Sequence, residues 1–192
     1  SDHPVVFSQV FNYKRDDLLK DNSRGIAALP PCDAQRAAWK VADPTVSRIG
    51  LILGEGHEVL FTEAVIAAQR HGIDLVVQIS HSDQETLYFF RRMIRDIDGF
   101  WLLPDNRVLS ARVLQQMLAD AKHRRVPVSV PSDSMLSLGA MISMTTKASD
   151  IAATIADVVR QIGSGDIDRV PPITQLSEIN VKTQGTQKVV TR

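Results

Sequence analysis

The chain has 192 residues, of which 44% are hydrophobic and 23% charged, and this composition is typical of a soluble globular protein with a sizeable core. Lysine and arginine number 22, as do aspartate and glutamate. The resulting zero net charge gives no long-range attraction to nucleic acid or to an anionic membrane. Cys32 is the only cysteine, which excludes a disulfide within the chain, and no apolar stretch approaches the length of a membrane span.

Before residue 45 the sequence predicts short and irregularly spaced elements. They are a strand over 4–10, a loop over 12–24, an apolar run over 25–29 and a helix that ends before Pro44. Asp33 is a suitable N-cap for this helix, and Ala34, Ala37, Ala38 and Val41 lie on one face of it.

From residue 49 onward, strands and helices alternate with short connections. The predicted strands are 49–53, 75–79, 100–103 and 126–130, and the helices between them end near 70, start at Ser82 or Asp83, and start at Ser110. This alternation predicts an α/β fold with an open parallel sheet of the flavodoxin-like kind. Beyond Pro131 we expect a helical turn over 135–138, an apolar run over 140–144, a helix over 149–162, a strand within 173–181 and a frayed polar end.

Polar residues follow four of these strands, at 55–58, 80–83, 105–106 and 132–134. Because parallel strands end at the same edge of a sheet, and ligands bind at that edge in open α/β sheets, we expect a polar ligand cleft there. The helix N-termini at this edge favour a carboxylate or another anion. The same residues also suit helix capping and chain turning, and that alternative stays open.

Motifs for cofactor, metal or phosphorelay chemistry are incomplete. Gly54-Glu55-Gly56 lacks the third glycine of a dinucleotide fingerprint and the Gly-Lys-Ser/Thr of a P-loop, and the five histidines show no metal-ligand spacing, so we expect no cofactor and no metal. His57 and Glu58 do not form a direct acid/base pair, since neighbours on a helix point about 100° apart. Asp105 could stand for the phosphorylated aspartate of a receiver domain, but the acidic pair and the lysine of such domains are missing.

Several short segments, taken in order, carry a resemblance. They are Pro4–Phe7, Asn22–Gly25, Arg48–Ile52, Leu102–Asn106, Val126–Val128, Gly139–Ala140, Ser149–Asp150, Pro171–Thr174 and Ile179–Val181. In order and spacing these segments resemble the ABC-transporter substrate-binding protein family, which includes binders of tryptophan and other amino acids. No single segment is diagnostic, and the resemblance depends on the whole series.

The resemblance implies a type I periplasmic binding fold, in which two α/β lobes joined by crossing strands close on a small ligand. It implies that residues 1–32 hold strands of the first lobe and the crossover, that 33–137 form a complete second lobe, and that 138–192 return to the first lobe and end in a tail. Family members are longer, and most of their first lobe has no counterpart here. We therefore expect a complete second lobe and a partial first one.

The resemblance also implies a set of ligand-binding residues. They are Gln9 and Asn12 near the crossing, Glu55, Gly56 and His57 after the first regular strand, Asp105 and Asn106 after the third, and Ser132 and Asp133 after the fourth. Two segments depart from the family pattern. Residues 54–57 are unlike the usual Asn-Pro-Ser loop, and Phe11-Asn12-Tyr13 replaces the common Asp-Pro, so the identity of the ligand is not transferred.

The function that the resemblance implies is non-enzymatic binding of a small polar solute, such as an amino acid or a carboxylate. The partners would be this solute and an ABC permease or a signalling protein, outside the cytoplasm. No secretory signal precedes Val5, which suggests a processed chain. Two alternatives are an acid/base enzyme that uses Glu55, His57 or Asp105, and an interaction module that forms a homodimer through the edge of its incomplete lobe.

Overall fold

The computed structural model describes residues 3–13, 17–105, 108–176, 178–183 and 186–190, the last range by its backbone alone. Within these ranges the chain forms ten strands and five α-helices. The strands are β1 Val5–Ser8, β2 Ser23–Ile26, β3 Arg48–Gly54, β4 Asp74–Ser80, β5 Gly99–Trp101, β6 Val128–Val130, β7 Ile142–Thr145, β8 Ile173–Thr174, β9 Ile179–Thr183 and β10 Thr186–Val190. The helices are α1 Cys32–Ala42, α2 Glu58–Arg70, α3 Asp83–Met93, α4 Ala111–Arg124 and α5 Ala148–Gly163.

A large sheet carries most of the core. Its seven strands lie in the order β10-β9-β7-β6-β5-β3-β4, and β4, β3, β5, β6 and β7 run parallel. Helices cover both of its faces. Trp39 and Ala64 bring α1 and α2 onto one face, while Phe90 and Met117 bring α3 and α4 onto the other. Burial on both faces explains why the strand sequences are continuously apolar, and the predicted α/β fold with an open parallel sheet is confirmed.

A smaller sheet contains the parallel strands β1, β2 and β8 in the order β1-β2-β8, and α5 packs against β1 and β2. The chain passes between the two sheets three times: between β2 and α1, between β7 and α5, and between β8 and β9. Arg24 of β2 is 7% exposed, and its guanidinium donates to the backbone oxygens of Ile167 and Val170. This contact ties the small sheet to the segment after α5.

Two predicted helix caps are confirmed. The backbone N–H of Glu85 donates to Ser82 Oγ at 3.2 Å, and the N–H of Val113 donates to Ser110 Oγ at 3.3 Å. A serine in this position satisfies one of the four backbone donors that the first turn of a helix leaves without a partner. These caps fix the residues at which α3 and α4 begin, and therefore where the loops that precede the two helices end.

The four residues that the sequence places on one face of α1 differ in burial, since Ala38 is buried and Val41 is exposed. The helix begins at Cys32 after Pro31, so Asp33 lies in the first turn and is not the cap. Trp39 is fully buried, whereas Val41 is 58% exposed. Residues two apart on a helix point about 200° away from each other, so the two side chains cannot share a face. Trp39 lies over Gly99, where an added Cβ would come within 2.5 Å of Trp39 Cζ2.

Three features near the carboxyl end differ from the prediction. Residues 173–181 form two strands in different sheets, β8 and β9, and not one strand. Residues 186–190 are not frayed but pair with β9 as β10. Strands β7 and β9, which the predicted lobe division assigned to the first lobe, pair in the large sheet, while α5 and β8 pack in the small one. Backbone hydrogen bonds to distant strands decide all three features, and local residue patterns do not show them.

Candidate functional site

A cleft of about 120 Å³ lies between the two sheets. One wall comes from the loops that follow β1 and β2 and from Gln175, and the other comes from the start of α2. The lining residues are Val10, Phe11, Asn12, Tyr13, the segment 27–32, Gly56, His57, Val59, Leu60, Glu63 and Gln175. Since two of the three connections between the sheets contribute to the wall, any movement of one sheet relative to the other changes the shape of the cleft.

His57 and Asp105 form a largely enclosed polar pair at this edge of the sheet. His57 Nε2 lies 3.3 Å from Asp105 Oδ2, and their side chains are 12% and 2% exposed. The ring of Phe11 packs on the imidazole, with 4.6 Å between the ring centroids. A hydrogen bond from one ring nitrogen fixes the orientation of a histidine and its tautomer. His57 is therefore held in one position on the cleft wall.

The local fold explains how these two residues meet. Strands β3 and β5 are parallel neighbours, with Leu51 opposite Trp101, so their carboxyl ends lie side by side. Gly56 has a φ of 85°, a backbone conformation that glycine adopts easily, and this turn places His57 at the position before α2. The sequence prediction that strand ends would bring polar residues together holds for this pair.

Glu55 and His81 form a second pair, at the surface. His81 Nδ1 lies 3.3 Å from Glu55 Oε1, and the side chains are 60% and 73% exposed. The pair follows from the parallel register of β3 and β4, in which Gly54 lies opposite Ser80. Glu55 does not line the cleft, and an ion pair this exposed contributes little free energy.

The predicted ligand-binding residues therefore divide into several groups. Asn12, Gly56 and His57 line the cleft, and Asp105 lies behind His57. Gln9 is exposed at the end of β1 with a φ of 59° and does not contribute to the wall. Asn106 lies outside the described residues. The ligand-binding role of these residues remains a prediction.

Ser132 and Asp133 also lie away from the cleft wall. Asp133 begins a short 3-10 helix, Asp133–Leu138, and accepts hydrogen bonds from Ser143 Oγ at 2.6 Å and from the ammonium of Lys182. Burial raises the pKa of Asp133, but the hydrogen bonds from Lys182 and Ser143 outweigh it and hold the pKa below its ordinary value. In the structure this carboxylate ties the 3-10 helix to β7 and β9.

Asp133→Asn should lower the free energy of unfolding at pH 7, and the difference from the unchanged chain should shrink as the pH falls. A carboxyl whose folded-state pKa is depressed stabilises the fold above its unfolded-state pKa, here 3.8, and this contribution is lost below that value. Urea unfolding at pH 7, 5 and 3 measures the difference. Asp157→Asn is the control and should change stability by less than about 0.5 kcal/mol, because in the described part of the chain Asp157 pairs with exposed Arg160 alone. A pH-independent difference for Asp133→Asn would contradict the expectation.

Sequence reasoning missed several residues of the wall, including Tyr13, Cys32, Glu63 and Gln175. A signal for Glu63 was present, because positions 60 and 63 follow the three-residue spacing of one helix face. Cys32 and Gln175 lie on the connections between the sheets, and their place on the wall depends on how the sheets pack against each other. That packing has no local sequence signature.

Cysteine, histidine and aspartate all occur at the cleft, yet the thiol is poorly suited to nucleophilic attack. Burial raises the pKa of Cys32 to about 11, against a smaller lowering by Arg36, so the thiol stays protonated near neutral pH, and the thiolate is the reactive form. Among the described residues, no cluster of three or more histidine, cysteine, aspartate or glutamate side chains is arranged to hold a metal ion. No helix in the described part of the chain is both long enough and apolar enough to cross a membrane.

A sequence model of the family described as "ABC transporter substrate binding protein" matches residues 3–187. No curated protein sequence matches the chain. Among solved structures, the chain is similar to a conserved domain protein from Vibrio cholerae, with a TM-score of 0.71 and 23% identity. It is also similar to an ABC domain in complex with L-Trp from Streptococcus pneumonia, with a TM-score of 0.70 and 18% identity. A third similar structure is a ligand-free, open substrate binding protein from Clostridium difficile, with a TM-score of 0.65 and 16% identity.

The three alignments cover 94% of this chain but 63% of each solved chain. The chain therefore spans less than two thirds of the length of these similar structures. At identities below 25% the likeness concerns the fold, which is that of type I periplasmic binding proteins.

Proposed function

The chain belongs to the ABC transporter substrate-binding protein family, and from that premise we propose that it binds a small solute, without catalysis, for an ABC-type uptake system. The cleft between the two sheets is the observation that carries the proposal. Its walls come from both sheets, so a solute held there contacts both. Binding would then favour a closed arrangement through movement at the three connections, as in hinge closure around a ligand.

The size of the cleft supports a small solute. A volume of about 120 Å³ is several times the 10–15 Å³ or so that one water molecule needs by the same kind of measure. The apolar lining, which includes Phe11, Leu29 and Leu60, suits the body of an amino acid or a similar molecule, while Asn12 and His57 offer polar contacts. Mostly apolar walls with a few fixed polar groups are typical of small-molecule sites.

Partners and location belong to the same proposal. The closed form would be recognised by an ABC permease or by a signalling protein, outside the cytoplasm. A homodimer remains a prediction, and light scattering after size-exclusion chromatography measures it directly.

A thermal-shift screen against amino acids, small carboxylates, amines, sugars and nucleotides tests the proposal. A solute that binds only the native state raises the apparent melting temperature. At a solute concentration of a hundred times its Kd, the free energy of unfolding increases by about 2.7 kcal/mol. A rise with one class of small solute supports a solute-binding role. If no solute produces a rise at millimolar concentration, the proposed function is wrong for this chain.

Asp105→Asn is expected to weaken binding of a solute found in that screen by at least about fivefold, roughly 1 kcal/mol. Asparagine has the shape of aspartate but not its charge, so the chain should still fold while His57 loses the carboxylate that orients it. Isothermal titration calorimetry measures the change. Asp74→Asn is the matched control, because Asp74 forms an exposed pair with Arg48 at the opposite end of the strands. Unchanged affinity in a folded Asp105→Asn variant would remove the His57–Asp105 pair from the site.

A further inference from the structure

The described wall of the cleft carries several neutral polar side chains and a single carboxylate, and no lysine or arginine. Its polar members are Asn12, Tyr13, Cys32, His57, Glu63 and Gln175. Two buried charges lie behind the wall with opposite signs, Asp105 behind His57 and Arg36 near Cys32. Glu63 therefore supplies the carboxylate that a solute meets on the described part of the wall.

Glu63 is on α2, and its charge acts across the cleft. Burial, and after it the charge of Glu63, raises the pKa of Tyr13, which lies on the loop after β1. Glu63 also adds to the larger effect of burial on the pKa of Cys32 at the start of α1. The carboxylate is exposed and forms no ion pair within the described part of the chain. A cation placed between α2 and these two residues would be stabilised by Glu63.

The side chain of Asn12 also favours a solute that donates a hydrogen bond. It lies on the wall, and its Oδ1 atom is buried and accepts no hydrogen bond from the residues that the structure describes. A buried acceptor that lacks a donor costs about 1–3 kcal/mol. A solute that donates a hydrogen bond to Asn12 recovers that free energy, and a protonated amino group donates three such bonds.

The N-terminus of α2 has the opposite preference, because its dipole favours an anion by about 0.3–1 kcal/mol. Glu58 already occupies the first turn of this helix and offsets part of that partial charge. The carboxylate of Glu63 lies on the wall itself, whereas the helix terminus contributes only the rest of its partial charge. The described wall therefore favours a cation, whereas the helix N-termini alone predict a preference for a carboxylate.

We propose that the cleft selects a solute with a protonated amino group on a small apolar body, and that Glu63 and Asn12 receive the ammonium end. The apolar body lies against Phe11, Leu29 and Leu60. A carboxylate on the solute is not required. This inference rests on the proposed function, since it names the class of solute for the same cleft.

Calorimetric titration with two sets of probes tests the inference. The three members of a set share one apolar body and differ in their end group, which is an amine, an alcohol or a carboxylate. The first set is 3-methylbutylamine, 3-methylbutanol and 4-methylpentanoate, and the second set carries the same end groups on a phenyl-bearing body. On at least one body the amine should bind at least tenfold more tightly than the alcohol or the acid. Glu63→Gln should weaken amine binding about tenfold and leave alcohol binding unchanged. Glu178→Gln, the same change at an exposed carboxylate paired with Lys147 and off the wall, should change amine affinity by less than twofold.

Two results would overturn the inference while leaving the proposed function intact. One is tighter binding of the acid or the alcohol than of the amine on both bodies. The other is unchanged amine affinity in Glu63→Gln, which is expected to fold because the side chain is exposed. Absence of binding by every probe and by every solute of the broader screen would overturn the inference and the proposed function together.

Discussion

Replacement of Arg24 by methionine is expected to lower the free energy of unfolding by about 3 kcal/mol. The Arg24 guanidinium is buried and donates to four backbone carbonyl groups, those of Asp21, Ser23, Ile167 and Val170, at 2.7–3.1 Å. Methionine fills similar space but donates no hydrogen bond. Each buried acceptor left without a donor costs about 1–3 kcal/mol, and the carbonyls of Ile167 and Val170 lie more than 140 residues along the chain from Arg24.

Urea denaturation monitored by circular dichroism measures the loss. For a chain of this size 1 kcal/mol corresponds to about 2–4 °C, so the melting temperature should also fall by about 6–12 °C. Arg24→Lys restores one positive charge but not the forked geometry, and it should recover only part of the loss. Stability within about 0.5 kcal/mol of the unchanged chain would show that water replaces the guanidinium at these carbonyls.

Replacement of Arg36 by methionine is expected to have the opposite sign and to raise the free energy of unfolding by about 2 kcal/mol. Arg36 is fully buried, and none of its three guanidinium nitrogens has a hydrogen-bond partner among the residues that the structure describes. Its guanidinium carbon lies 4.0 Å from the centroid of the Trp101 ring and 5.4 Å from that of Trp39. Burial lowers its pKa to about 10, and at neutral pH the group remains charged.

Two effects compete at Arg36, and their magnitudes decide the sign. A desolvated cation over an aromatic ring gains about 2 kcal/mol, whereas removing a charge from water costs several kcal/mol when no anion compensates it. The desolvation cost is larger, so an apolar side chain of similar length should be more stable. The same urea denaturation gives the result. A loss of stability comparable to that of Arg24→Met would show that stacking on the two indoles outweighs desolvation.

The two arginines form a matched pair for this reason. Both are buried, and both are changed to the same residue. Each guanidinium nitrogen of Arg24 donates to a backbone oxygen, whereas those of Arg36 have no hydrogen-bond partner among the described residues. A difference in sign between the two variants isolates the hydrogen bonds from the effect of burial itself. Sequence analysis gives no means of telling them apart, since each arginine is followed by glycine or alanine in an ordinary segment.

At the candidate site, too, the local sequence predicts some features, whereas others depend on contacts between segments far apart in the chain. The strand ends placed His57 and Asp105 at one edge, because the alternation of strands and helices predicts parallel neighbours. Their actual contact required the order β5-β3-β4, which places β3 beside both β4 and β5. The same order paired Glu55 with His81 at the surface and so removed Glu55 from the cleft wall. Asp133, predicted from the resemblance, instead joins Lys182 of β9, a strand whose place in the large sheet the sequence does not reveal.

Local residue patterns are enough to predict the α/β fold, the alternating elements from residue 49 to 130, the caps at Ser82 and Ser110, and the edge of the sheet where polar residues gather. These features depend on hydrophobic period and on backbone donors within one turn, which local residues specify. The tertiary structure alone decided the buried face of α1, the assignment of β8 and β9 to different sheets, and the composition of the cleft wall. Each of these depends on which distant surfaces fill the same space, as Trp39 does over Gly99, and close packing between segments far apart in the chain leaves no periodic signal in either of them.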